Sequence, residues 1–104
     1  MADTAPLLAA SLADLPERGF VAGSGVVRSI TYVPVTDSPQ VSALVSDDDA
    51  EHRAGASVSL VWLGRRRVSG LGAGTRLRFT GMVARQHGVP TIFNPRYEIL
   101  AKED

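Results

Sequence analysis

Two glycines interrupt the longest strand pattern in this chain of 104 residues. The pattern runs over residues 20–33 as FVAGSGVVRSITYV, and Gly23 and Gly25 lie in its first half. A glycine inside a strand marks a bulge or a sharp bend, which a small barrel needs where one strand passes between two sheets. The pattern therefore favours a closed barrel over a flat sheet.

Four further strand patterns follow, and short turn-rich segments separate them. No helical segment alternates with them, so they indicate an antiparallel sandwich or barrel. The linker over residues 64–74 (GRRRVSGLGAG) is too rich in glycine for a stable helix and reads as a flexible connector, and His87-Gly88 predicts a tight turn. The patterns cover residues 41–46, 57–63, 75–86 and 89–100, the last bent at Pro95.

The first 15 residues predict a loose tail followed by a short helix. Over residues 6–15, leucines fall on one helical stripe, and Pro16 ends the segment. We expect this stripe to pack on the barrel or on a partner. Its members are Leu7, Leu8, Leu12 and Leu15.

These patterns together predict an all-β fold, a five-stranded Greek-key barrel of the OB type with a short N-terminal helix. A chain of this length has room for one compact core, so we expect a single domain over residues 16–100. Residues 101–104 read as a polar tail.

Positive charge is concentrated in the second half of the chain. Residues 1–51 carry eight acids and two bases, residues 52–104 carry nine bases and three acids, and the whole chain is neutral. Residues 52–97 contain eight arginines and no carboxylate. Basic charge on a small β framework predicts a surface for a polyanion, above all single-stranded DNA or RNA. Because the total charge is zero, such binding must come from one face.

Two groups of arginines are the main candidates for phosphate contact. Arg65, Arg66 and Arg67 are adjacent cations, and the acidic stretch at 47–51 lies roughly 20 Å away along the third strand, beyond a Debye length of about 8–10 Å. Arg76 and Arg78 share the outward face of the fourth strand about 7 Å apart, close to a phosphate spacing. An ordinary solvated face is the alternative for this second pair.

Aromatic side chains supply candidates for base stacking. The alternation of the third strand places Trp62 inward with Val58 and Leu60, although an outward Trp62 would be a stacking platform. Tyr32, beside the first hairpin loop, is the better exposed candidate. A groove between the loops at 34–40 and 86–89 would be flanked by Arg28 and Arg85. The predicted nucleic-acid-binding residues are Arg28, Tyr32, Arg65, Arg66, Arg67, Arg76, Arg78 and Arg85.

No pattern in the chain predicts catalysis, a metal or a cofactor. The chain has no cysteine, and the alternating acids from Asp47 to Glu51 lack the glycine and glutamate that a calcium loop needs, having His52 and Val58 there. No apolar run approaches the roughly 20 residues that span a bilayer. We expect a cytoplasmic protein without a membrane contact.

Three motifs at the ends of the last strands carry a family resemblance. They are LVWLGRR over residues 60–66, the pair Gly74-x-Arg76-Leu77 and Gly81-x-Val83, and NPRYE over residues 94–98. Over about residues 16–100 the chain resembles small actinobacterial proteins described as OB-fold nucleic-acid-binding domains. It more distantly resembles the OB modules of replicative polymerases and the wedge domain of branch-migrating helicases. The resemblance implies binding to single-stranded or junction nucleic acid, although a fold alone does not fix a function.

A protein-interaction module is the alternative. The zero net charge favours it, and the N-terminal helix or the acidic loop at 47–55 would dock the partner. The sequence leaves open DNA against RNA, any sequence preference, the pathway, the partner and the oligomeric state.

Overall fold

The computed structural model describes residues 5–33, 38–47 and 56–102 of an all-β chain. The described residues contain no α-helix, and one short 3-10 helix, η1, covers Leu12–Asp14. None of the helical residues described forms a segment long and apolar enough to cross a bilayer. The strands are β1 (Leu7–Leu8), β2 (Arg18–Tyr32), β3 (Gln40–Ser46), β4 (Ser57–Leu63), β5 (Thr75–Gln86), β6 (Val89–Phe93) and β7 (Arg96–Lys102).

Five of these strands close into a barrel, in the order β2-β3-β4-β6-β5 and back to β2. β2 makes the closure because its first half pairs with β5 and its second half pairs with β3, both antiparallel. β4 and β6 pair in parallel, with Leu60 opposite Ile92. The predicted barrel is confirmed, and the extra strands β1 and β7 extend it at the edges of β2 and β5.

The bend of β2 depends on a buried glycine. A Cβ atom at Gly25 would clash with the carbonyl oxygen of Ser46 and would lie 2.7 Å from Cγ1 of Val45. β2 and β3 can therefore approach this closely only where β2 has no side chain. Just beyond this point the register with β3 shifts between Val27 and Ser29.

The inward positions of the barrel strands form one core. Trp62 belongs to it, because only 4% of its surface is exposed. Its Nε1 donates to the carbonyl oxygen of Pro95 at 3.3 Å, and its ring meets that of Tyr97 edge-on at 5.5 Å. The alternation of β4 thus predicts the side of this tryptophan correctly. The most deeply buried side chains include Phe79, Leu60, Leu77, Ile92, Val21 and Val27.

The predicted N-terminal helix is wrong. Leu7 and Leu8 form β1, which pairs in parallel with β2 at Val21 and Ala22, and both leucines are exposed. A helix over this segment would give up these sheet bonds, so pairing with β2 overrides the helical spacing of the leucines.

Asp47 holds the end of the N-terminal segment, at η1, in place. Asp47 accepts hydrogen bonds from the Ser11 hydroxyl at 2.8 Å and from the Leu12 backbone at 2.9 Å. Ser11 also caps η1 by accepting from Ala13. These bonds hold Leu12 and Leu15 in the core, so only half of the predicted leucine stripe is buried.

The predicted fifth strand divides at Asn94, which has a left-handed backbone with φ of 53°. The Asn94 backbone donates to Val61 at 2.6 Å, and its side-chain Oδ1 accepts from the Leu63 backbone at 2.9 Å. β7 continues to Lys102, two residues beyond the predicted end of the last strand at residue 100. Residues 103–104 lie outside the described part of the chain.

The turn between β5 and β6 has the predicted form. His87 and Gly88 have φ of 54° and 83°, as a two-residue type I′ hairpin requires. Most of the predicted first hairpin loop, at 34–37, and most of the acidic loop, at 48–55, lie outside the described residues. The acidic-loop docking prediction therefore has no structural description beyond Asp47.

Candidate nucleic-acid interface

One end of the barrel carries a groove of about 680 Å³. It lies between the β2–β3 connection and the linker at 64–74 that joins β4 to β5. Tyr32, at the end of β2, is 57% exposed and lines the groove together with Arg66 and Arg67 of the linker. The structure thus brings together three residues that the sequence predicts for nucleic-acid contact.

A backbone hydrogen bond joins the two walls of this groove, since the amide of Gly64 donates to the carbonyl oxygen of Pro39 at 2.9 Å. Within the first wall, the amide of Val33 donates to the carbonyl oxygen of Gln40 at 3.2 Å. Gly64 has φ of 77°, a left-handed conformation in which glycine turns the chain sharply out of β4. The linker therefore begins its path directly beside the β2–β3 connection.

The rest of the linker is also anchored. The Tyr97 hydroxyl donates to the carbonyl oxygen of Ser69 at 2.9 Å. Within the linker, the Leu71 amide donates to the carbonyl oxygen of Val68 at 3.3 Å. Val68 is buried in the core, and Leu71 packs against it. The sequence indicates a flexible connector here, whereas these contacts position Arg66 and Arg67 on a defined path.

A second recess of about 500 Å³ lies on the other side of the linker. Arg65 and Arg96 both line it, over a floor formed by Trp62 and Tyr97. Arg65 therefore lines a different recess from its two neighbours in sequence. Arg96 was not among the predicted residues; it begins β7, two residues after the break in the strand at Asn94.

Arg76 and Arg78 lie elsewhere, on the outward face of β5. The Nε atom of Arg78 is 3.4 Å from Oε1 of Glu98, and both side chains are more than half exposed. A surface pair of this kind contributes about 0–1 kcal/mol. Arg76 also has a partner within the protein. Arg76 and Arg78 are both exposed two residues apart on β5, as predicted, but a carboxylate lies beside Arg78.

Arg28 and Arg85 lie at the opposite end of the barrel from the groove. Arg28 donates to the Ser46 hydroxyl at 2.5 Å and to the Asp47 carbonyl oxygen at 3.4 Å. Arg85 donates to the Gly88 carbonyl oxygen at 3.1 Å and lies 3.3 Å from a carboxylate oxygen of Glu17. Arg28 therefore holds the end of β3, and Arg85 holds the turn between β5 and β6.

The outward face between these two ends is neutral. β3 and β4 pair along their whole length, and half of their outward positions carry serines. The described outward residues include neither an arginine nor an aromatic ring there. Of the residues predicted for nucleic-acid contact, Tyr32, Arg66 and Arg67 thus lie at one end of this face and Arg28 and Arg85 at the other. The serines are Ser42, Ser46, Ser57 and Ser59.

Within the described ranges no three His, Asp or Glu side chains lie close enough to hold a metal ion. Comparison of the chain with protein-family models, with curated proteins and with solved structures found no match.

Proposed function

We propose that this chain is a noncatalytic OB-fold module that binds single-stranded nucleic acid in the groove beside Tyr32. The main observation in support is that one exposed aromatic ring and two arginines line the same groove. Aromatic rings stack on bases without regard to sequence, and arginines hold phosphates through planar paired hydrogen bonds. The combination suits a flexible single strand, whose bases are free to stack.

The pairing order supports the OB assignment. If the five barrel strands are numbered one to five in chain order, their order around the barrel is 1-2-3-5-4 and back to 1. The groove lies where the first barrel strand turns into the second, an end at which OB-folds hold oligonucleotides. The same assignment agrees with the resemblance of residues 60–66 and 94–98 to OB-fold nucleic-acid-binding domains.

Charge favours the groove over the arginines on the outward face of β5 and at the opposite end of the barrel. Among the residues that the structure describes, those lining the groove include two arginines and no carboxylate. Arg78 and Arg85, by contrast, each lie within 3.4 Å of a carboxylate oxygen. Phosphate would have to compete with those carboxylates, so the groove is the better phosphate site.

The expected affinity is modest. One stacked base contributes about 1–3 kcal/mol, and a few phosphate contacts add a term that salt weakens. We expect a dissociation constant of about micromolar at low salt.

An NMR titration with a random-sequence single strand tests this proposal. We expect amide shifts at Tyr32, Gln40 and residues 66–71, and we expect Tyr32→Ala to weaken binding about tenfold. Arg85→Ala is the matched control, because it removes a cation at the other end of the barrel. Unchanged spectra, or shifts confined to the outward face of β5, would contradict the proposal.

A protein-interaction module is the second candidate, and the exposed leucines of β1 favour it. Leu7 is 53% and Leu8 is 78% exposed at a sheet edge. Gel filtration with and without an oligonucleotide separates the two candidates. A homo-oligomer that becomes monomeric when Leu7 and Leu8 are both replaced by Ser would support the protein-interaction module. A monomer that elutes earlier with the oligonucleotide would support nucleic-acid binding.

A further inference from the structure

Two large apolar side chains lie side by side on the outside of the barrel. Met82 of β5 is 62% exposed and Phe93 of β6 is 45% exposed. Both line a hollow of about 370 Å³, whose other lining residues are Arg18, Val83, Ala84 and Thr91. Apolar atoms thus form most of the wall of this hollow.

The sheet register extends these two residues into a strip. Phe20 of β2 lies opposite Met82, so its half-buried side chain shares the outward face. On one side of the strip, Arg18 lies two residues before Phe20 on β2 and opposite Ala84. On the other side, Arg96 of β7 lies opposite Thr80, which is two residues before Met82 on β5. The strip of Phe20, Met82 and Phe93 is therefore bordered by an arginine on each side.

The fold does not account for this strip. The core beneath it is filled by the neighbouring inward side chains Val21, Val83 and Ile92, each at most 1% exposed. Polar side chains at Met82 and Phe93 would leave that core intact. Adjacent exposed apolar residues mark interaction surfaces, and Phe, Met and Arg are the residue types enriched there. Methionine also adapts its shape to different partners.

Charge on the same face distinguishes among partners. Glu98 and Glu17 are each paired, with Arg78 and Arg85 respectively. Among the described residues no ion pair involves Arg18 or Arg96, so the uncompensated charge beside the strip is positive. A second copy docked face to face would set arginines against arginines, whereas a peptide with carboxylates around one large apolar side chain complements both the charge and the hollow.

We propose that the strip of Phe20, Met82 and Phe93 docks a protein segment that carries a large apolar side chain flanked by Asp or Glu. The apolar side chain fills the hollow beside Met82 and Phe93. Its flanking carboxylates pair with Arg18 and Arg96, whose guanidinium groups match a carboxylate in geometry. The surface is separate from the Tyr32 groove, so the protein would hold a nucleic acid and a protein partner at two sites.

A displayed library of random dodecapeptides tests the proposal when it is selected on the folded wild-type chain. We expect enrichment of peptides with Leu, Phe or Trp between acidic residues. We expect Met82→Glu to weaken the enriched peptides by about tenfold or more, because it adds a like charge and removes an apolar contact. Leu44→Glu is the matched control: Leu44 is 41% exposed on the outward face of β3, so this change should leave binding unaltered.

The other outcomes overturn the proposal. They are the absence of enriched peptides, enrichment of basic peptides, and equal binding to the Met82→Glu variant. A dimer of the wild-type chain that Met82→Glu dissolves would assign the strip to a second copy. Phe93→Ser removes an apolar side chain of the strip without adding a charge, so it should also weaken peptide binding. Peptide binding that survives Tyr32→Ala separates this surface from the groove, so either proposal can fail without the other.

Discussion

The Tyr97 hydroxyl donates a hydrogen bond to the carbonyl oxygen of Ser69 at 2.9 Å, and this bond ties the linker at 64–74 to β7. The two residues lie 28 positions apart. The ring of Tyr97 also packs edge-on against buried Trp62. The linker wall of the groove is thus joined to the core of the barrel through one side chain.

Replacement of Tyr97 by Phe tests this anchoring. The ring contact with Trp62 remains while the bond to Ser69 is lost, so we expect a loss of about 0.5–1.5 kcal/mol in the free energy of unfolding, measured with urea. Faster hydrogen exchange should be confined to residues 64–74. Unaltered exchange in the linker would show that other contacts hold it.

A second prediction concerns the left-handed residue between β6 and β7. Asn94→Gly keeps the backbone with φ of 53° and loses only the side-chain bond to Leu63, whereas Asn94→Ala also adds backbone strain. We expect Ala to be less stable than Gly by about 1 kcal/mol in urea unfolding. Equal stability of the two variants would mean that the backbone relaxes out of the left-handed region.

The close approach of β2 and β3 predicts a large effect at Gly25. Gly25→Ala forces a methyl group onto the Ser46 carbonyl oxygen, so we expect a loss of about 1–3 kcal/mol or more. Gly72→Ala is the control, because its added Cβ would meet only Thr75 Oγ1 at 3.8 Å. Thermal unfolding of the two variants makes the comparison, and similar midpoints would contradict the account of the bend.

Much of the fold follows from local sequence signals. β4 and β5 begin and end at the predicted residues, because strict alternation and flanking glycines define both strands. His87-Gly88 is a turn for the same local reason. The helix prediction for the N-terminal segment is wrong although its four leucines fit a helical stripe. The pairing of Leu7 and Leu8 with β2 is a contact that local spacing does not encode.

The site is predictable only in its residue types. The sequence identifies an exposed tyrosine and a cluster of arginines, but Tyr32 and Arg66 line one groove because the chain turns at Gly64, whose amide bonds to Pro39. The same adjacency in sequence is misleading for Arg65, which lines a different recess with Arg96. Which charges share a surface depends on where the chain turns, and the turn at Gly64 decides it here.

The single tryptophan supplies a fluorescence prediction. Trp62 is buried, so we expect a blue-shifted emission that iodide quenches weakly, and little change in emission when an oligonucleotide binds. Strong iodide quenching in the native state would contradict the inward position of Trp62.

The salt dependence of oligonucleotide binding tests the central claim most directly. The logarithm of the affinity for a single strand falls with the logarithm of the salt concentration by about 0.7 per phosphate neutralised. If Arg66 and Arg67 hold phosphates in the Tyr32 groove, replacing both by Ala should flatten the slope by about 1.4. Arg85→Ala should leave the slope unchanged. Equal slopes for the wild type and the double variant, or binding without salt dependence, would contradict the assignment of this groove to nucleic acid.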